Sequence, residues 1–417
     1  MAKFSALLSA LVLASVVYAT PVVQINESII TVPIAKKIAL TGSANFVEAE
    51  RQRAQKIIAH GKAKAAARAQ GLSAAAVVGV PVTNGVVTYT ASVGVGSPAT
   101  QYDLLIDTGS SNTWVGAGKA YVKTSTSVQT KDKVSVTYGS GSFSGTEFTD
   151  TVTLASGLVI PGQSIGVAST STGFSGVDGI LGIGPVDLTL DTLSPDTNTP
   201  IPTVTDNLFT NGVISSNEIG ISFEPTTTSS ITNGELTFGG TDSSKFTGSI
   251  TFAPITGTSP ANEFWGINES ITYGTSNTAI LSSTAGIVDT GTTLILISSD
   301  AFSRYQKATG ATADRATGLL KLTTANLNKL QNLNFNINGV TFELTPNAQL
   351  FPRSLNTQIG GTAGNNYLVV ASIGTPTGEG LDFINGYAFL ERFYSVFDTA
   401  NKRVGFATTP FTTATSN

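Results

Sequence analysis

The chain has 417 residues, no cysteine, a single histidine (His60) and a formal net charge of −4. Without cysteine there can be no disulfide, thiolate metal site or cysteine nucleophile, one histidine excludes multi-histidine metal centres, and the chain beyond His60 has none left for a Ser-His-Asp triad. Forty-three glycines, 12% charged residues and long stretches dominated by Thr, Ser and Val predict a mostly β protein, and the length predicts two to three structural units.

Lys3, an apolar run over residues 4–18 and the small Ala19 before Thr20-Pro21 read as a secretory signal peptide, residues 1–19. The run is shorter than the about 20 apolar residues of a membrane span. No later stretch has that character, so no membrane anchor is expected. Residues 20–76 hold eight Lys/Arg against three Asp/Glu, whereas residues 77–417 hold 14 against 24. A basic leader on an acidic body can dock electrostatically. Within the leader, residues 44–70 are rich in Ala, Glu, Gln, Arg and Lys and predict a helix, with His60 on its solvated face. After Ala74-Ala75-Ala76 the pattern changes to alternation, as in Val86-Val87-Thr88-Tyr89-Thr90-Ala91-Ser92-Val93, which reads as a strand. The body is therefore expected to begin near residues 74–78.

The next motif is Leu105-Ile106-Asp107-Thr108-Gly109-Ser110-Ser111, an apolar segment ending in a polar turn. Ser111-Asn112-Thr113-Trp114 follows it, then the Gly-rich Val136-Thr137-Tyr138-Gly139-Ser140-Gly141-Ser142, then Asp178-Gly179-Ile180-Leu181-Gly182. The Gly-rich segment lacks the Gly-Lys-Ser/Thr ending of a phosphate loop, and no nucleotide or nucleic-acid partner is expected. Residues 189–203 and 225–233 read as surface loops, and short helices are expected at 203–211 and 299–309, the latter with Ser299 as N-cap. The first Asp motif recurs 182 residues on as Ile287-Val288-Asp289-Thr290-Gly291-Thr292-Thr293, followed by Asp382-Phe383-Ile384-Asn385-Gly386. Asn268-Glu269-Ser270 is a glycosylation acceptor on the body of the chain.

The recurrence predicts two copies of one β unit, residues 77–248 and 249–417, facing each other across a pseudo-two-fold axis with a substrate cleft between them. Two Asp carboxyls brought within hydrogen-bond distance share one proton and titrate as a pair. One then acts as base on a bound water while the other protonates a carbonyl oxygen, so peptide hydrolysis needs no metal or cofactor. Gly109 and Gly291 let backbone N–H groups approach the carboxylates, Ser110 and Thr292 can donate hydroxyl hydrogen bonds to them, and Thr108 and Thr290 can cross-link the loops.

Together these motifs resemble the pepsin-like aspartic peptidases, over nearly the whole chain, and among them the cysteine-free secreted enzymes of wood-rotting basidiomycetes. The resemblance implies a bilobal, acid-active monomer that cuts polypeptides, with Asp107 and Asp289 catalytic. It also implies a flap carrying Tyr138, Gly139 and Ser140, and Trp114 supporting the Tyr138 hydroxyl. Phe393-Tyr394-Ser395-Val396-Phe397-Asp398 and Arg403-Val404-Gly405-Phe406-Ala407 match the family's final strands. The leader, including Val32-Pro33-Ile34-Ala35-Lys36-Lys37, matches its inhibitory propeptide, with Lys36, Lys37, Lys62 and Lys64 as candidate cations for the dyad. Ser140 stands where relatives that accept lysine often carry Asp, so the expected preference is for large apolar or aromatic residues around the cut. Leu105, Phe174, Ile180 and Leu181 are the candidate pocket walls. One element departs from the family: Asn385-Gly386-Tyr387 replaces the usual Leu-Gly-Asp, which puts a polar side chain beneath the second Asp loop.

Two rival readings remain at this point. A non-catalytic peptide- or inhibitor-binding homologue is favoured only by the Asn385 departure. A glycosidase would hold its carboxyls roughly 5–9.5 Å apart with separate roles, and only Trp114 and Trp265 are available as large sugar platforms. The tail over residues 411–417 lacks a hydrophobic anchor signal, so extracellular release is expected.

Overall fold

The computed structural model describes residues 30–39, 45–69, 86–138 and 141–417. The expected signal peptide and the flap residues Gly139 and Ser140 lie outside them. The protein is mostly β, with a fourteen-stranded, a seven-stranded and a three-stranded sheet. The first strands are β1 (Ile30–Ala39), β2 (Val86–Val95), β3 (Thr100–Asp107), β4 (Trp114–Val115), β5 (Val128–Thr137), β6 (Ser142–Ala155), β7 (Leu158–Thr172) and β8 (Gly179–Gly182). Period-two alternation explains them, and along β6 buried residues alternate with half-exposed ones for most of its length.

The internal repeat is visible in the pairing. In the first half β8 lies between β3, which it meets in parallel, and β4, which it meets antiparallel, with Asp107 opposite Gly182 and Ile106 opposite Leu181. In the second half the strand Phe383–Asn385 lies between Thr278–Val288, again parallel, and Ile295–Ile297, again antiparallel, with Val288 opposite Asn385. Each Asp-Thr-Gly loop is thus the turn leaving a buried strand, braced by a returning strand that ends in Gly182 in the first half and just before Gly386 in the second. The halves are also joined by a shared sheet, in which Glu218–Ser222 pairs with Phe393–Asp398, and Thr247–Pro254 pairs with Arg403–Thr408. Thr247–Pro254 spans the expected division at residues 248/249 and takes its partner from the C-terminal end.

The leader is built into this body. β1 sits between β2 and the strand Ser230–Phe238, pairing antiparallel with both, and its Val32 and Ile34 side chains are buried. The expected loop over 225–233 therefore becomes strand from Ser230 onward, because an otherwise polar segment gains backbone partners from the leader. The leader helix α1 (Phe46–Ala69) buries Phe46, Glu50, Arg53, Ala54, Ile57, Ile58, Gly61 and Lys64, a three-to-four-residue spacing that defines one face. Gly61 is required there, since a Cβ would come 2.8 Å from the Phe264 ring and from Pro260.

The two short helices form at Val204–Thr210 and Ser299–Thr309. Thr203 and Asp206 make a reciprocal capping box on the first. The second spans the expected residues, but its cap is Ser298 and not Ser299, and the Ser298 hydroxyl bonds Thr377 instead of the helix. Replacing Ile34, wholly buried in the leader strand, by Ala is expected to weaken leader docking by about 2–4 kcal/mol. The readout is faster proteolytic nicking of the leader at neutral pH.

Candidate active site

Asp107 ends β3 and Asp289 follows Thr278–Val288, so each carboxyl is placed by a strand paired with a returning strand. The two loops grip each other through reciprocal threonine bonds. Thr108 N–H donates to Thr290 Oγ1 and Thr290 N–H to Thr108 Oγ1, both at 3.0 Å. Each hydroxyl in turn donates to the opposite strand: Thr108 Oγ1 to the Val288 carbonyl at 3.2 Å and Thr290 Oγ1 to the Ile106 carbonyl at 3.0 Å.

The carboxylates are wholly buried and within hydrogen-bond reach of one another. Ser110 Oγ donates to Asp107 Oδ2 and Thr292 Oγ1 to Asp289 Oδ2, each at 2.6 Å. The N–H groups of Gly109 and Gly291 reach the other oxygens at 3.1 and 2.8 Å. Both glycines are sterically required, because a Cβ on Gly109 would stand 2.7 Å from Asp289 Oδ1 and one on Gly291 2.5 Å from Asp107 Oδ1.

A leader cation completes the site. Arg53 Nη2 lies 3.0 Å from Asp107 Oδ1 and 3.1 Å from Asp289 Oδ2, while its Nε donates to Asp289 Oδ2 at 3.3 Å. Of the candidate lysines, Lys36 pairs with Glu391 at 2.6 Å, Lys62 pairs with Glu379, and Lys64 donates to the Asp187 and Leu190 carbonyls. Arg53 was signalled only by its place on the helix face that also carries Glu50, Ile57 and Lys64. Glu50 accepts from the Thr293 and Leu294 N–H groups at 2.8 and 3.3 Å, so it clamps the helix to the loop beyond Asp289.

Burial pushes Asp107 up to about 6, with the Asp289 charge adding to it and Arg53 opposing it. Burial also pushes Asp289 up, but Arg53, the Thr292 hydroxyl and the Gly291 N–H outweigh it and hold that carboxyl below the usual range. With Arg53 in place, proton uptake by the pair is thus biased toward Asp107. Burial moves Glu50 up to about 7.

Over the dyad, Tyr138, just after β5, is buried and lines a cleft with Val136, Thr137 and the leader residues Arg53, Ile57 and His60. Trp114 stacks on Phe143 with ring centroids 4.2 Å apart and stands 6.3 Å from the Tyr138 ring. The indole N–H lies near the Tyr138 hydroxyl, but no hydrogen bond of good geometry joins them. Leu105, Phe174 and Ile180 pack with these aromatics beneath the flap, but Leu181 does not. Alternation along β8 turns it to the opposite face, into the main core. His60 also departs from expectation, since it is partly buried against the cleft beside Arg53, Lys56, Ser110 and Tyr138, and burial with the neighbouring Lys64 pushes it down to about 4. Asn268 is exposed and accepts a hydrogen bond from Thr256.

A two-lobed β body with paired Asp-Thr-Gly loops and two buried carboxyls side by side defines an aspartic peptidase. Residues 88–409 match the family model for eukaryotic aspartyl proteases, and the chain belongs to that family. It is 71% identical to polyporopepsin from Irpex lacteus over 338 residues, covering 81% of this chain and 99% of that one. The crystal structure of the aspartic proteinase from Irpex lacteus superposes with a TM-score of 0.78, covering 79% of this chain and 96% of that one. Pepsin A from Sus scrofa is 30% identical, over 76% of this chain and 80% of its own length. The protein is accordingly a peptide hydrolase of the pepsin-like class.

Thr108→Val removes a hydroxyl that both donates and accepts inside the core and leaves the Thr290 N–H unpaired. Unfolding by urea should show a loss of about 1–3 kcal/mol. Thr290→Val should behave alike, with the double variant losing less than the two singles added.

Proposed function

We propose that the protein is a secreted, acid-active endopeptidase made as a zymogen, with Asp107 and Asp289 as the catalytic pair and residues 20–76 as its inhibitory leader. The observation that carries this reading is Arg53, a leader guanidinium bonded to both carboxylates in the position a hydrolytic water would need. Once Arg53 leaves, a water between the carboxyls can take its place. One carboxyl of the pair, ionised, draws a proton from that water as it attacks the peptide carbonyl. The other, protonated, hands its proton to the developing oxyanion, and the pair returns a proton to the leaving amine. Tyr138 closes over the bound chain and excludes solvent. Leu105, Phe174 and Ile180 favour large apolar or aromatic residues around the cut.

Acid release of the leader follows from three groups of different sign. Arg53 lowers the proton affinity of both dyad carboxyls, so protons compete with it and that part of the docking energy is lost as pH falls. His60 works in the same direction. Docking holds it near 4 against its ordinary value of 6.5, so the free leader binds the proton more readily and docking weakens between those values as pH falls. Glu50 opposes both: its pKa is raised on docking, so its contribution is fully present below 4.5 and is lost only as pH rises through about 7. Asn268, exposed on its strand, is the proposed glycan site on the mature protein.

Cleavage of denatured haemoglobin or casein by acid-matured protein tests the reading. Activity should be confined to acid, and Asp289→Asn should reduce it by at least about 1,000-fold. Full acid activity in that variant would overturn it. His60→Gln should shift self-activation to lower pH, because the docked leader loses a group that resists protonation worth about 1–3 kcal/mol. The check is the pH midpoint of leader loss followed by gel.

A further inference from the structure

Asn385 departs from the family pattern, and what it pairs with was not legible in the sequence. It occupies, in the second half, the register position that Leu181 holds in the first: Ile106 faces Leu181 and Val288 faces Asn385. Its Nδ2 donates to Glu269 Oε2 at 2.7 Å. Glu269 lies on the strand Gly266–Tyr273, on the far side of the strand that leads to Asp289. Alternation turns it inward while its neighbour Asn268 is exposed, and both members of the pair are fully buried. An apolar position in one half is thus filled by an amide and an acid in the other.

The hydrogen-bond inventory of this pair is one hydrogen short. Glu269 Oε1 and Asn385 Oδ1 are both buried with no partner, and both are acceptors when the carboxyl is ionised. A proton on Glu269 supplies the missing donor and closes a second bond back to the amide. The surroundings favour that form. The register partners of Glu269 are Thr284 and Ile337, Asn385 faces it from the third strand, and among the described residues no charged side chain acts on it. A bare carboxylate in this place would be an uncompensated buried charge.

We propose that Glu269 is carried as a neutral acid joined to the Asn385 amide by two hydrogen bonds, and that this pair positions the Asp289 loop. The second half of the proposal rests on the catalytic reading of Asp289. Asn385 is the mechanical link, since its backbone carbonyl accepts the Asp289 N–H at 3.2 Å while its side chain is tied to Glu269. Burial holding the Glu269 carboxyl near 8 agrees with the geometry.

Glu269→Gln offers the same two hydrogen bonds with no proton to lose, so it separates protonation from packing. In the full-length protein at neutral pH, the infrared difference spectrum between wild type and this variant should contain the carbonyl stretch of one protonated, poorly hydrated carboxyl. Folding stability measured in urea should also differ in slope. A carboxyl bound more tightly to its proton in the folded state makes wild type lose about tenfold in folding equilibrium per pH unit between 4.5 and about 8, relative to the variant. Superposable spectra and parallel pH dependences would overturn the protonation half. For positioning, acid-matured Glu269→Leu, which strands the amide, should lower kcat at least about tenfold with KM little changed, while Glu269→Gln keeps kcat within about twofold. Equal kcat in the two variants would overturn the positioning half. If matured wild type shows no acid proteolysis, the catalytic reading falls and the positioning half with it, whereas the infrared and unfolding results still decide the protonation of Glu269.

Discussion

Two carboxylates buried within hydrogen-bond reach cannot both be ionised unless a cation lies between them, and the whole molecule is arranged around that constraint. Holding the pair together requires loops that cannot separate, which is the work of the reciprocal Thr108 and Thr290 bonds and the parallel strands behind each Asp. Such close approach leaves no room for side chains at Gly109 and Gly291. In this form of the chain the charge problem is solved by Arg53; in a matured form it would be solved by a shared proton and a water. On the proposed reading, inhibition and catalysis are two answers to one electrostatic demand.

The same preference for the protonated form extends beyond the dyad. Burial raises Glu50 and Glu147 to about 7 and Glu269 to about 8, in addition to Asp107 at about 6. Each such group stabilises the folded chain fully in acid and withdraws that contribution as pH rises through its folded value. These carboxyls favour the neutral form inside, so acidification has little left to disrupt at them.

How far the site could be read from residues alone depended on whether a feature was repeated. The Asp-Thr-Gly loops, their hydroxyl donors and the apolar-Gly strands recur at matched places, so each copy vouches for the other, and the structure brings them into contact. Arg53 has no such copy. It is one of eight leader cations, and only docking of α1 decides which of them meets the dyad. Leu181 was misassigned because adjacent residues of a four-residue strand face opposite sides, and composition cannot say which side is the pocket. Glu269 and Asn385 are 116 residues apart; alternation turns each inward, but nothing local pairs them.

The seat of the leader strand has a mechanical consequence. β1 is not laid over the body but is threaded between β2 and Ser230–Phe238, with hydrogen bonds on both edges. Taking it out divides the largest sheet and leaves two unpaired edges facing each other across a gap of about two strand spacings, roughly 9.5 Å. Open edges of that kind are sites of unwanted pairing between molecules. A chain made without residues 30–39 would therefore start with a split through its main scaffold as well as an open cleft.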